Sequence, residues 1–191
     1  MSKENNTLRF IFLVIITVFV SFYRLLPHPA NFVPVGAASL FAGAYFGSTL
    51  FAIFVPLISL WLSDLILNNF VYQQYFPNFT LFYDGFYWQY LSFAAIVFIG
   101  MLLKNRVKVG NVVLASISGS VLFFVATNFG VWFSSNMYSK NLVGLGACYL
   151  AAIPFFVQSL LGDLVFCGVI FGIFEFLKLQ KPAIFEAKLV Q

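Results

Sequence analysis

Long apolar blocks alternate along this chain with short turns that collect most of the proline, amide and charged residues. A helix needs about 20 mostly apolar residues to cross a hydrocarbon core. By that measure the blocks predict membrane-spanning helices over residues 8–23, 35–46, 50–68, 88–103 and 112–133. A last block covers 147–177, too long for one straight span, and Pro154 is expected to divide it into a short half-helix and a long sixth helix. The first block has the length of a secretory signal, but no small-residue cleavage site follows it, so it is read as retained.

The connections differ in character. Residues 24–34 pack Arg24, His28, Asn31 and three prolines into one stretch, a stiff loop because proline fixes φ and restricts its neighbour. Residues 70–87 form the longest connection, rich in aromatic and amide groups, as expected of an interfacial loop. Residues 134–146 are polar and glycine-bearing. The second block is dense in small residues. Ala38 with Ala42 and Gly43 with Gly47 form steps of four that let helix backbones approach closely, either inside the bundle or at a docking face for a partner subunit.

Composition removes the soluble alternatives. The chain of 191 residues is 62% hydrophobic and 8% charged, with a mean hydropathy of +0.97, where a soluble domain carries about 25% charged residues. The expected fold is therefore an all-α integral membrane protein, a six-helix transmembrane bundle forming one domain over 1–191 with short tails at about 1–7 and 178–191. A faint echo between residues 44–67 and 127–166 suggests two three-helix halves in opposite orientation. The bilayer is the first expected partner.

Charge orients the bundle. Lys3, Arg9, the Lys104–Lys108 turn and Lys178, Lys181 and Lys188 fall on one side of a six-span layout, which the positive-inside rule makes the cytoplasm. Both termini are then cytoplasmic, in a bacterial inner membrane. The net charge of +4 is spread over span ends without a basic patch, so no nucleic acid is expected. Cys148 and Cys167 sit in apolar surroundings and read as small buried hydrophobes.

Candidate chemistry is sparse. Asp64 and Asp163 lie well inside apolar blocks, where an ionisable group is costly unless it faces the bundle interior and finds a partner. Arg24, at the outer end of the first span, is the expected partner of Asp64; a structural ion pair and a binding-site charge are both open. His28 is a lone histidine, read as a solvent-facing loop residue or as a hydrogen-bonding group for a ligand. Asn128, Trp132 and Tyr138 supply amide and stacking groups at the same depth, suited to a flat heteroaromatic ligand, with interfacial belt residues as the plain alternative. No paired-histidine, rhomboid-type serine, nucleotide-binding or dinucleotide pattern occurs, so no enzyme, cofactor or resident metal is expected.

The strings Arg24-Leu-Leu-Pro-His-Pro-Ala-Asn-Phe-Val-Pro-Val-Gly-Ala, Ser-Asp64, Asn128-Phe-Gly-Val-Trp132, Ala-Ile-Pro154-Phe-Phe and Leu-Gly-Asp163 resemble a bacterial family of six-span membrane proteins of unknown function, assigned to transport. In size and layout the chain is also similar to the S components of energy-coupling-factor (ECF) vitamin transporters. That resemblance implies a bundle that binds a vitamin or similar micronutrient from the outer face, docking on a transmembrane coupling subunit with its ATPases. It departs from the S-component pattern in that the small-residue face is on the second helix, not the first, which leaves a solitary transporter open. The expected function is a substrate-binding transporter component. The expected site is Arg24, His28, Asn31, Asp64, Asn128, Trp132, Tyr138 and Asp163, and His28 is placed to reach the metal of a cobalamin-like substrate. The competing expectation is a structural or assembly protein that packs on a partner through its second helix.

Overall fold

A computed structural model describes residues 3–185, so Lys188 lies outside the described residues. Among them there are seven helices and no strand: α1 Lys3–Phe22, α2 Val35–Tyr45, α3 Thr49–Ile66, α4 Phe86–Met101, α5 Val109–Ser134, α6 Leu142–Gln180 and the short α7 Pro182–Phe185. A 3-10 turn, Tyr23–Leu25, continues α1, and a π-helical turn, Leu67–Val71, continues α3.

The bundle is built around α2. Every residue of this 11-residue helix is buried, and it touches α1, α3, α4, α5 and α6. Its run of Gly, Ala and Ser explains why: a thin helix lets five others gather round it. The closest approach is to α4. A Cβ on Gly43 would lie 2.1 Å from the Val97 carbonyl oxygen, and one on Gly100 would lie 2.3 Å from that of Leu40. Two backbones are in direct contact there.

The expected docking face is corrected by this packing. Ala38 and Ala42 are wholly buried, Gly43 is filled by α4, and Gly47 lies past the helix end, beyond Phe46 with its extended backbone. The small residues serve contacts within this chain. Pro154 is the second correction, since α6 runs unbroken through it. Proline removes one backbone hydrogen bond, whereas breaking the helix in apolar surroundings would strand several polar groups. The start of α6 also comes earlier than the apolar block, because the Asn141 side chain caps it by accepting from the Gly144 amide at 2.9 Å.

Polar contacts fix the two ends of the bundle. At one end the Asn5 amide donates to the Ala183 carbonyl at 3.0 Å, and the Tyr45 hydroxyl donates to Glu175 at 2.6 Å. Arg9 reaches the Tyr45 carbonyl there too. At the other end Arg24 meets Asp64. The first end holds the basic turn with Lys178 and Lys181, and the second holds the Pro-His-Pro loop. They are called here the basic end and the loop end.

Four segments are long and apolar enough to cross a membrane: Asn5–Leu25, Thr49–Val71, Val109–Ser134 and Leu142–Gln180; α2 and α4 are apolar but shorter. The outer surface is apolar as well, with Phe19, Val109 and Leu142 about 80% exposed or more. This is the architecture of a membrane-embedded helical protein.

The glycine contacts give a sharp expectation. Gly43→Ala and Gly100→Ala each push a methyl into a carbonyl that cannot move, and should cost about 3 kcal/mol. Gly168, with open space around its Cα, should accept alanine without loss. Thermal unfolding of the three variants in detergent checks this, and equal melting temperatures would contradict the α2–α4 contact.

Candidate functional site

Arg24 sits in the 3-10 turn that ends the first helix, a position that carries its side chain across to α3. Its Nη1 donates to Asp64 Oδ1 at 2.6 Å and approaches Ser63 Oγ at 3.4 Å. The Tyr90 hydroxyl, from α4, donates to the other carboxylate oxygen at 2.7 Å. Asp64 therefore ties together α1, α3 and α4 as the hub of a buried polar network. The expected Arg24–Asp64 partnership forms, and Tyr90 is a third member that the spacing of residues along the chain did not suggest.

The Pro-rich loop folds back onto the bundle. The Phe32 amide donates to the Pro29 carbonyl at 3.0 Å, closing a turn in which Asn31 takes a left-handed φ of 60°, a conformation asparagine tolerates. The Phe32 ring packs on Phe166, and the backbone at Phe32 and Val33 lies where a side chain on Gly162 would be. His28 stacks on Tyr23. Its two ring nitrogens lie 2.8 Å from the Pro29 carbonyl oxygen and 3.1 Å from that of Arg24. Both face carbonyls of the loop's own backbone, and a neutral imidazole donates to one of the two.

The loop delivers the chain to Val35, the first residue of α2, inside the bundle. There Asp163 of α6 takes a hydrogen bond from the Ala37 amide and one from the Ser120 hydroxyl at 2.7 Å. A Cβ on Gly36 would lie 2.4 Å from the Asp163 carboxylate, so glycine is required for this approach. A carboxylate at a helix N-terminus satisfies amides that have no partner within the helix and complements the helix dipole.

Two adjoining cavities open around this point. The larger, of about 550 Å³, runs from the loop end down between α4, α5 and α6, with Asp84 and Ser134 at its mouth and Ser120 at depth. The smaller, of about 310 Å³, is floored by Asp163, Gly36 and Arg24 beneath the Pro-rich loop. Asn31, Gln89, Phe123 and Ser159 line both and join them.

The expected site residues separate in three ways. Arg24, His28, Asn31, Asn128 and Asp163 all line the joined cavities. Asp64 stands behind Arg24 and is 3% exposed. Trp132 and Tyr138 line neither cavity; the indole of Trp132 donates instead to the Ser139 carbonyl at 2.9 Å. Lys140 lies over the Trp132 ring, with its ammonium on the carbonyls of Trp132, Phe133 and Ser135. A lysine at the loop end is thus consumed as a cap for the last carbonyls of α5.

Several lining residues escaped the sequence reading. Trp88 packs its ring where a Cβ on Gly130 would stand, 2.3 Å from its Cγ, and donates to Ser134 at 3.1 Å. Ser159 precedes Asp163 by one helical turn, a spacing that places the two on one face of α6. Tyr83 donates to Gln89 at 2.5 Å. Burial, with the Asp64 charge adding to it, raises its phenol above the ordinary range and keeps it protonated at neutral pH. In the connection from α3 to α4, the Asn69 side chain donates to the Thr80 carbonyl and accepts from the Thr80 amide. That clamp holds the aromatic loop over the cavity mouth.

The fold and site define a helical membrane protein with a cavity of apolar walls and a few polar groups, open at one end. The chain belongs to a family of unknown function, DUF6580, whose model matches residues 4–184. No curated protein and no solved structure matches it.

The Asp64 network predicts strong coupling. Removing one partner of a buried pair strands a charge and costs about 3–5 kcal/mol, whereas removing both costs much less. Arg24→Met and Asp64→Asn should each lower the unfolding temperature more than the double variant does. Additive losses in that double-mutant cycle would show that the pair contributes little.

Proposed function

We propose that this protein is a substrate-binding membrane transporter for a compact, vitamin-like molecule, taken up through the loop end. The observation that carries the reading is the joined cavity, which leads from an open mouth to a buried carboxylate at the centre of the bundle. Cavities of about 300–1,000 Å³ with apolar walls and a few converging polar groups are typical ligand sites. A protein that only packs on partners has no need of such a space, and the small-residue face on which that alternative rested is internal. Non-helical backbone at membrane depth, as in the loop before α2, is tolerated where it is buried or lines a cavity, and this loop lines one.

In this reading α1 to α6, the shorter α2 and α4 included, are six spans in two halves of three, with both termini in the cytoplasm and the loop end outside. The excess of lysine and arginine at the basic end supports that orientation. The size and layout that resemble ECF S components fit a micronutrient carrier. A coupling subunit would have to dock elsewhere than on α2. The cavity's dimensions favour a ligand of one or a few rings over a corrinoid, and the two carbonyl contacts of His28 argue against metal ligation by its ring.

Two measurements test this. Native mass spectrometry of the protein purified from its own membrane should reveal one small molecule bound to the wild type and absent from Ser159→Trp, which fills the neck between the cavities. Identical spectra for the two would remove the cavity from the function. Single cysteines at positions 78 and 136 should react with an impermeant maleimide on intact cells, and one at 105 only after permeabilisation. Labelling of position 105 on intact cells would overturn the orientation.

A further inference from the structure

The charge lining the cavity does not balance, and on the binding-cavity reading above this restricts what can enter. Asp84 is exposed at the mouth and Asp163 lies on the floor. Among the described residues Arg24 is the only arginine or lysine lining either cavity, and its guanidinium is committed to Asp64 at 2.6 Å. Lys140, also at the loop end, is committed to three backbone carbonyls. With all three ionised, Arg24, Asp64 and Asp163 therefore sum to one negative charge around the smaller cavity. The Ser120 hydroxyl and the positive end of α2 offset it only in part, since a helix N-terminus supplies about half a unit charge.

The walls between the two carboxylates add to the same preference. Trp88, Phe123, Phe124 and Phe156 line the larger cavity, and aromatic π-systems attract cations, more strongly as water is excluded. Gln89, Thr127 and Asn128 provide neutral hydrogen-bonding groups along the way. An anionic ligand would meet two carboxylates and no uncommitted cation, and burying a charge without a partner is costly.

We infer that the cavity selects a compact ring compound bearing a cationic nitrogen, an amine or quaternary ammonium, and rejects carboxylates and phosphates. The nitrogen is steered in by Asp84, passes the aromatic walls and neutralises Asp163 at the floor. Ser159, in the neck beside the carboxylate, offers a hydroxyl to the same group.

Three probes that share one ring and differ only in the charge of the tail test this: tryptamine, indole-3-ethanol and indole-3-acetate. Equilibrium dialysis of each against the full chain in detergent, with protein-free micelles as the blank, should show tryptamine bound about tenfold more tightly than the acetate. Indole-3-ethanol should fall between them. Asp84→Asn, at an exposed position where folding is not in question, should narrow that ratio, and Asp163→Asn should narrow it further. Acetate binding as tight as tryptamine, or an unchanged ratio in both variants, overturns the charge preference and leaves the cavity as a ligand site. Failure of all three probes at millimolar concentration, or equal retention by Ser159→Trp, counts against the cavity reading itself.

Discussion

A helix that begins in the middle of an apolar bundle has a problem that water would otherwise solve. The first amides of α2 have no partners within the helix, and no solvent reaches them through lipid. The structure answers with the Asp163 carboxylate, brought from α6 to the Ala37 amide and steadied by Ser120. Much else depends on that contact. Gly36 must lack a side chain, Gly162 must let the incoming loop lie against α6, and the loop must be stiff enough to deliver Val35 at the right depth. The cavity is the space left where these demands keep α4, α5 and α6 from closing over the end of a short helix.

The Arg24–Asp64–Tyr90 network does comparable work one layer further out. It binds the end of α1 to α3 and α4, and so fixes where the Pro-rich loop starts, while Asp163 fixes where it stops. A loop anchored by ionic and hydrogen-bonded contacts at both ends, with Phe32 packed on Phe166 between them, cannot drift over the cavity floor. The two carboxylates that are expensive at membrane depth are each held in a network of their own, one around Asp64 and one around Asp163.

How much of this was legible in the sequence follows from the range of each interaction. The helices could be read from apolar blocks because span length is a local property, and their ends shifted by only a few residues. Arg24–Asp64 could be read because two charges in an apolar chain have few alternatives. Pro154 misled, because the cost of breaking a helix in apolar surroundings exceeds the cost of one missing hydrogen bond. The glycine and alanine steps on the second helix identified close packing correctly but not the partner, since Gly100 lies 57 positions after Gly43 and spacing carries no information about it. Trp88 was invisible for the same reason: its seat is the absent side chain of Gly130, on another helix. Asn128 and Trp132 look equivalent in one short string and share a face of α5, yet Asn128 lines the cavity while the Trp132 indole is held by the Ser139 carbonyl.

The length of α6 has a mechanical consequence. Its 39 residues span roughly 58 Å at 1.5 Å per residue, against a bilayer of about 40–45 Å including its headgroups. Its exposed face is apolar from Leu142 to Leu179 except at Gln158, so the lipid layer is the natural surroundings of most of its length. A helix longer than the layer around it tilts, bends or thickens the layer locally. Where it tilts, thinning the bilayer increases the tilt and moves the two ends of the helix sideways relative to each other. The helix that holds Asp163 and walls the cavity is thus geared to the thickness of the membrane around it.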